Sequence, residues 1–510
     1  MKKTKQKFLK YISLSLLIGG AIGAIITALN PGPQPFTGWA GSTFLASLCI
    51  FFLISTGTGI TSPQKIKSFI PTAFATRLLL GIFLFIALPI WGYDQTTPNA
   101  GYIYTDAYQR DSDAWQLAQS DEPLWVAFKG KFHTDQYGGL LFLSSVVYRY
   151  LSPDAHRPLL ILILSAFSTT IGIAFFWEAV KLRWDEKTAD LASWILALYP
   201  ESVILGSSQM REPFLIGLSG IAFWAVLRWK KNHNQALLAL LGSLLGIILF
   251  SSRVFTAIFV LIAIWFWLEN IYPNLNKHKK VFGWILLALA VACILFISIN
   301  WLLDAARWDI YLTENSSGLI QYELEEIGGK LRIPFIVGYG LLQPLLPAAI
   351  AYPGIALMRA IAIYRAIGWY TLAPLIIFSL LAVYKNRSKK EQKILIWFLI
   401  FTALWIFLSS IRGGGDQWDN PRYRSILLPW MALLASWAWF YHKKTRSHWL
   451  YYILVIEAFF VLFFLQWYIS RYYYLGTKLP FWQIVAIIAS ISAIILLWGL
   501  IKDLMHSKKR

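Results

Sequence analysis

Long apolar runs alternate with short polar segments along almost the whole chain, and this alternation predicts a bundle of membrane-spanning helices. A helix needs about 20 predominantly apolar residues to cross the hydrocarbon core. Runs that meet or approach that length occupy residues 8–29, 38–57, 70–92, 158–180, 190–208, 213–229, 235–250, 254–270, 281–303, 367–384, 394–411, 425–441, 449–470 and 483–501. The predicted fold class is therefore all-α, a polytopic membrane bundle of about fourteen helices. It forms a single transmembrane domain over residues 1–510, with no internal repeat and no separate soluble domain.

Two further apolar stretches read differently. Residues 137–152 are too short to cross and carry Arg149, so they predict a helix lying at the outer interface. Residues 335–357 are interrupted by Pro344, Pro347 and Pro353 and predict an interfacial or re-entrant segment.

The basic residues set the orientation. They gather in short segments between runs: Lys2 to Lys7, Lys65 and Lys67, Lys181 to Lys187, Lys230 and Lys231, Lys277 to Lys280, Lys385 to Lys393, Lys443 to Arg446 and Lys508 to Arg510. With the N-terminus inside, alternation of the fourteen runs puts every one of these segments in the cytoplasm, as the positive-inside bias requires. Both termini are then cytoplasmic, in a multi-pass protein of the cell membrane. Two long loops fall outside, at 93–157 and 304–367, with shorter outer turns at 209–212, 412–424 and 471–480. The outer loops hold many of the acids: Asp94, Asp106, Asp111, Asp113, Asp121, Glu122 and Asp135 in the first, and Asp304, Asp309, Glu314, Glu323, Glu325 and Glu326 in the second.

Composition changes this picture in one respect. A formal net charge of +20 would suit nucleic-acid binding, but a nucleic-acid surface needs its charge on one face, and here it is divided among the inner loops. Nucleic acid is therefore excluded as a partner, and membrane lipids are the expected surroundings. Cys49 and Cys293 both fall inside apolar runs, which predicts small buried apolar residues and no disulfide framework. The first run has no small-residue cleavage site before Asn30 and reads as an uncleaved helix.

Three outer segments carry candidate chemistry. In the first, Asp111-Ser-Asp113-Ala-Trp115 sets two carboxylates just ahead of a short helical pattern. Paired carboxylates divide the roles of base and of acid or metal ligand; the alternative is a solvated loop with an Asp N-cap. In the second, Arg211 and Glu212 stand at the start of a helix entered by Pro213, where an anion is favoured, or where they form a structural ion pair. The third, from Arg412 to Arg424, places Arg422, Tyr423 and Arg424 outside against the positive-inside bias. Guanidinium groups suit bidentate phosphate binding, with interfacial anchoring as the alternative.

The order of these motifs resembles the GT-C superfamily of multi-spanning glycosyltransferases, in the branch of the protein mannosyltransferases and the aminoarabinose transferases of lipid A. It is carried by Asp111-Ser-Asp113-Ala-Trp115 in the first outer loop, by Tyr199-Pro200 running to Glu212, and by Pro421-Arg422-Tyr423-Arg424 followed by Leu427-Leu428-Pro429. It covers residues from about 70 to 445, and departs from the family in having two runs ahead of the helix that enters the first loop, where one is usual, and Arg211-Glu212 where many members place an Asp.

What the resemblance implies is transfer of a sugar from a polyprenyl-phosphate-linked donor to a lipid, glycan or protein acceptor on the outer face, with inversion. Asp111 would be the general base and Asp113 the alternative. Arg422, Arg424, Arg211 and Tyr423 would hold the donor phosphate, and Glu212 would be a second acid. No metal is required by this scheme, although Asp111, Asp113 and Glu212 are a set that could hold Mg or Mn; sparse His and Cys argue against zinc. The rival functions are a polysaccharide polymerase or ligase, and a transporter of lipid-linked glycans, which would carry charges well inside its spans.

Overall fold

The structure is a computed structural model that describes residues 2–59, 63–130, 132, 134–135, 137–290, 292–293, 296, 331–386 and 389–507. Asp304, Asp309, Glu314, Glu323, Glu325 and Glu326, and residues 291, 294, 295 and 297–303 of run 281–303, lie outside the described residues. Among the described residues every regular element is helical. The chain divides into two compact units, Met1–Phe296 and Ile297–Arg510.

In the first unit the helices are α1 Lys2–Leu29, α2 Pro35–Gly59, α3 Pro63–Trp91, α4 Thr96–Asn99, α5 Thr105–Gln119, α6 Gly139–Leu151, α7 Leu159–Arg183, α8 Glu186–Leu198, α9 Pro200–Gly206, α10 Glu212–Arg228, α11 His233–Phe250 and α12 Ser252–Phe266. In the second they are α13 Arg332–Leu342, α14 Leu346–Ala351, α15 Ala356–Lys385, α16 Lys389–Gly413, α17 Asp419–Ser425, α18 Leu428–Thr445, α19 Trp449–Tyr472 and α20 Phe481–Ser507.

Ten helical stretches among the described residues are long and apolar enough to cross a membrane, α12 being one of them because π and 3-10 turns continue it to Asn274, and each coincides with one of the fourteen runs. The other four runs differ for separate reasons. Run 190–208 is broken into α8 and α9 at Tyr199-Pro200, and run 213–229 gives α10, of only 17 residues. Run 281–303 is helical over 277–290. Run 425–441 forms α18, which is buried from Leu428 to Ala438 and so is surrounded by protein rather than lipid.

The break between α8 and α9 shows how a charge comes to lie inside a span. Pro200 has no N–H to give to Leu196, and the turn at Tyr199 leaves the Ala197 carbonyl without its helical donor as well. Arg77, fully buried in α3, supplies both: its guanidinium donates to Leu196 O at 2.9 Å, Ala197 O at 2.8 Å, Ser202 Oγ at 2.9 Å and Ala73 O at 2.9 Å.

At the centre of this unit α7 crosses α10 at backbone contact. A Cβ on Gly172 would lie 2.5 Å from Gly217 Cα, and one on Gly217 would lie 2.0 Å from Ser168 O. Small residues at such a crossing let two helices exchange van der Waals contact that lipid would otherwise supply. The α1–α2 hairpin is tied to the segment between α6 and α7 by Arg157. It donates to Asn30 O at 2.9 Å, Pro31 O at 2.9 Å and Ser152 Oγ at 2.7 Å, and forks onto both oxygens of Asp154.

The 137–152 stretch is α6, 13 residues long and too short to cross. Its Leu140, Leu141, Val147 and Tyr148 pack with Ala114, Leu117 and Ala118 of α5 and with Leu160 and Ile161 of α7. Arg149 caps the other helix, reaching Leu117 O and Ser120 O at 2.6 Å each and Ala118 O at 3.1 Å.

In the second unit the proline-interrupted stretch is two short helices, α13 and α14, followed by a 30-residue α15. This helix therefore begins eleven residues before the apolar run 367–384: Arg359 and Arg365 lower the hydropathy of residues 356–366, but Arg365 is buried against Trp418 and the helix runs through. Between α13, α19 and α20 lies an apolar cavity of about 370 Å³, lined by Phe335, Tyr339, Phe464, Trp467 and Phe481 among others.

Candidate functional site

Helix α5 begins at Thr105, so Asp111 and Asp113 sit within it and not at its cap; the acid in its first turn is Asp106. Residues four apart share a helix face, and α5 presents Asp111 and Trp115 together. Asp111 is 2% exposed. Three side chains bond its carboxylate: Tyr102 Oη donates to Oδ2 at 2.6 Å, Tyr148 Oη reaches both oxygens at 2.7 Å, and His156 Nε2 lies 2.9 Å from Oδ2. The His156 ring is stacked on Trp115, with centroids 5.4 Å apart and planes 18° apart, and Tyr148 meets it edge-on at 4.9 Å.

Burial, and then the charge of Asp111, push the Tyr102 and Tyr148 phenols well above the usual range. Both remain protonated and donate. A buried carboxylate with this many donors is held in a fixed position by three separate segments of the chain between α3 and α7.

Asp113 lies apart from this cluster, half-buried, and accepts a hydrogen bond from Thr134 Oγ1 at 2.5 Å. Asp135 accepts from the Tyr137 and Leu141 amides and so caps α6. These two acids shape the loop between α5 and α6.

A second group gathers near the α9–α10 turn. Arg110 is buried, donates to Gln209 O at 2.8 Å, and is pulled below the ordinary guanidinium range by burial, which the charges of Asp135, Glu212 and Asp106 oppose. Arg211 is the N-cap of α10 and Glu212, 1% exposed, its first residue; Arg211 Nε lies 3.8 Å from Glu212 Oε1. Arg211 also lies over the Tyr137 ring at 5.0 Å, and Arg253 of α12 approaches the same ring at 5.9 Å.

The second unit repeats that motif. Tyr423 lies between Arg412, 4.2 Å from its ring centroid, and Arg422, at 4.9 Å; Arg422 Nη2 also donates to Tyr423 Oη at 3.1 Å, and its Nη1 pairs with Asp419 at 3.3 Å. Arg424 has a different environment. It is fully buried, 3.5 Å from the centre of the Trp369 ring, and donates to Gln343 O, which fastens the α13–α14 turn to α17.

Among the described residues no group of three or more His, Cys, Asp or Glu is disposed to hold a metal ion. Asp111 is ringed by two phenols and an imidazole, and Asp113 and Glu212 have other neighbours.

The sequence reading did not single out His156, Arg110, Arg253 or the two tyrosines on Asp111. His156 is 45 residues from Asp111, and no spacing rule links them. The one signal was the occurrence of His156 in a short polar loop of a chain with only seven His. No protein-family model, curated protein or solved structure matches the chain.

Proposed function

We propose that this protein is a membrane glycosyltransferase that moves a sugar from a polyprenyl-phosphate donor to a lipid, glycan or protein acceptor at the outer face of the cell membrane. In this scheme the chain makes about fourteen crossings with both termini cytoplasmic, as the basic segments suggest. Its order of motifs, from Asp111 and Trp115 through Tyr199-Pro200 to Arg422-Tyr423-Arg424, resembles the GT-C superfamily.

The observation that carries the proposal is the Asp111 cluster: an acid–base group held rigidly by Tyr102, Tyr148 and His156 in a polar segment between two apolar helices. Such preorganisation is what proton abstraction from an acceptor hydroxyl requires. The acceptor oxygen attacks the anomeric carbon, the bond to phosphate breaks, and a single displacement inverts the centre. Guanidinium groups compensate the charge of the departing prenyl phosphate, so the scheme requires no metal. Two arginine pairs are assigned to phosphate, each within its own unit: Arg211 with Arg253 about Tyr137 in the first, and Arg422 with Arg412 about Tyr423 in the second. Arg424 fastens α17, the helix that carries Arg422, to the α13–α14 turn, Asp113 shapes the first loop, and Glu212 sets the position of Arg211. The apolar cavity beside α13 and α19 has the lining a prenyl chain needs.

Arg77 is a charge inside a span, the feature expected of a transporter. Its bonds to Leu196, Ala197, Ser202 and Ala73 account for it as the cap of a broken helix.

Donor recognition is the test. With purified protein in proteoliposomes and polyprenyl-phosphate sugars as donors, Arg422→Lys should raise the donor KM about tenfold or more at unchanged melting temperature, because an ammonium group lacks the planar fork. An unchanged donor KM removes Arg422 from the phosphate site.

A further inference from the structure

In the Asp111 cluster the carboxylate is buried while the imidazole that bonds it is open: the Asp111 side chain is 2% exposed and that of His156 26%. A general base must come within hydrogen-bond reach of the proton it removes. Asp111 is screened from an acceptor by Tyr102, Tyr148 and His156 themselves.

The same network fixes the imidazole. Tyr102 and Tyr148 both donate to Asp111, which as a carboxylate has no proton to return. A neutral His156 therefore holds its hydrogen on Nε2, toward Oδ2, and its lone pair on Nδ1. Among the described residues Nδ1 makes no hydrogen bond. Trp115 on one face and Tyr148 at the edge hold the ring in plane. Among the described residues the titratable groups in contact with the imidazole are Asp111 and Tyr148, with Tyr102 behind Asp111. An acid that orients an imidazole and leaves its second nitrogen open is the arrangement of a carboxylate–histidine pair.

We infer that His156 is the group that takes the proton from the acceptor, and that Asp111 is a positioning residue acting through it. This rests on the glycosyltransferase proposal. As the acceptor oxygen bonds to the anomeric carbon, its proton passes to Nδ1; the carbon–oxygen bond to phosphate breaks, and the electron pair leaves with the prenyl phosphate. The imidazolium so formed is held by Asp111 and afterwards releases its proton to water. Asp113, bonded to Thr134, takes no part.

The decisive variant is His156→Gln, whose amide N–H replaces the donor toward Asp111 and whose lone pair is no base. It should fold with the wild-type melting temperature, keep the donor KM, lose about 10²- to 10⁴-fold in kcat, and lose the acid-side fall of the kcat–pH profile. The double variant His156→Gln/Asp111→Asn should be no slower than His156→Gln, since the two act as a unit. If His156→Gln keeps the wild-type kcat, the imidazole is structural and the inference is overturned.

A second measurement does not depend on turnover. Diethylpyrocarbonate should modify His156 in the purified wild-type protein, read by mass spectrometry, and several-fold more slowly in Asp111→Asn, where the tautomer is no longer fixed. No modification of His156 while exposed His233 reacts would overturn the inference. A wild-type protein that transfers no sugar but shows the modification pattern defeats the glycosyltransferase proposal and leaves the oriented imidazole standing.

Discussion

Replacing Arg77 by Met keeps most of the apolar stem and removes every hydrogen bond the guanidinium makes. Two buried carbonyls at the α8–α9 break, Leu196 O and Ala197 O, then lose the donor that Pro200 and the Tyr199 turn denied them. A buried polar group left unpaired costs about 1–3 kcal/mol, so the two carbonyls together cost about 2–6 kcal/mol. Counting instead the three interhelical bonds, to Leu196 O, Ala197 O and Ser202 Oγ, at about 0.6 kcal/mol each, the average found between helices in a bilayer, gives about 2 kcal/mol. The two routes agree at the lower end. Reversible unfolding in mixed micelles should therefore show Arg77→Met destabilised by at least about 2 kcal/mol. Pro200→Ala supplies an N–H that can reach Leu196 O in a continuous helix, so in the Arg77→Met background it should restore part of the loss, a favourable coupling between neighbouring sites. A cost under about 1 kcal/mol for Arg77→Met, or no coupling with Pro200→Ala, would refute the capping role.

The Arg157 fork holds the Asp154 carboxyl below its usual range, chiefly by hydrogen bonding. A depressed carboxyl contributes stability above its unfolded pKa, about 3.9, that is lost as pH falls through the folded value; Asp154→Asn should be less stable than wild type at neutral pH, with the difference closing below about pH 4 in a pH series of melting curves. Topology is tested with single cysteines in a background from which Cys49 and Cys293 have been removed. Asp121→Cys in the first loop should react with an impermeant maleimide on intact cells and Lys187→Cys should not, and the reverse pattern would invert the bundle.

Much of the helix pattern was legible because a bilayer imposes one length on every crossing. Ten of the fourteen runs are helices of the expected kind. Where the pattern misled, side chains had replaced lipid or backbone as partners. Arg365 buried against Trp418 let α15 begin eleven residues before its apolar run, and Arg77 let run 190–208 break at Pro200. The candidate site was legible in its residue types and not in its wiring. Asp111 and Trp115 on one helix face follow from a spacing of four. The helix start at Thr105 did not, because Tyr104 caps α5 with no side-chain hydrogen bond for a sequence pattern to announce. That Asp111 is closed off by Tyr102, Tyr148 and His156 depends on chain segments brought together by α6 and the 152–158 loop, over separations with no local signature. Arg424 read like Arg422 in sequence, and burial separates them: one grips Trp369 and Gln343, the other shares Tyr423 with Arg412.

The central claim is transfer of a sugar from a prenyl-phosphate carrier on the outer side. Right-side-out proteoliposomes holding the purified protein and a polyprenyl-phosphate donor with a radiolabelled sugar test it most directly, with an extract of envelope lipids and glycans as acceptor outside. Label appearing in the external acceptor, with an equal amount of free polyprenyl phosphate formed and the anomeric configuration inverted, is the predicted result. Donor left intact across a panel of sugars, or carried across the bilayer unaltered, would contradict it.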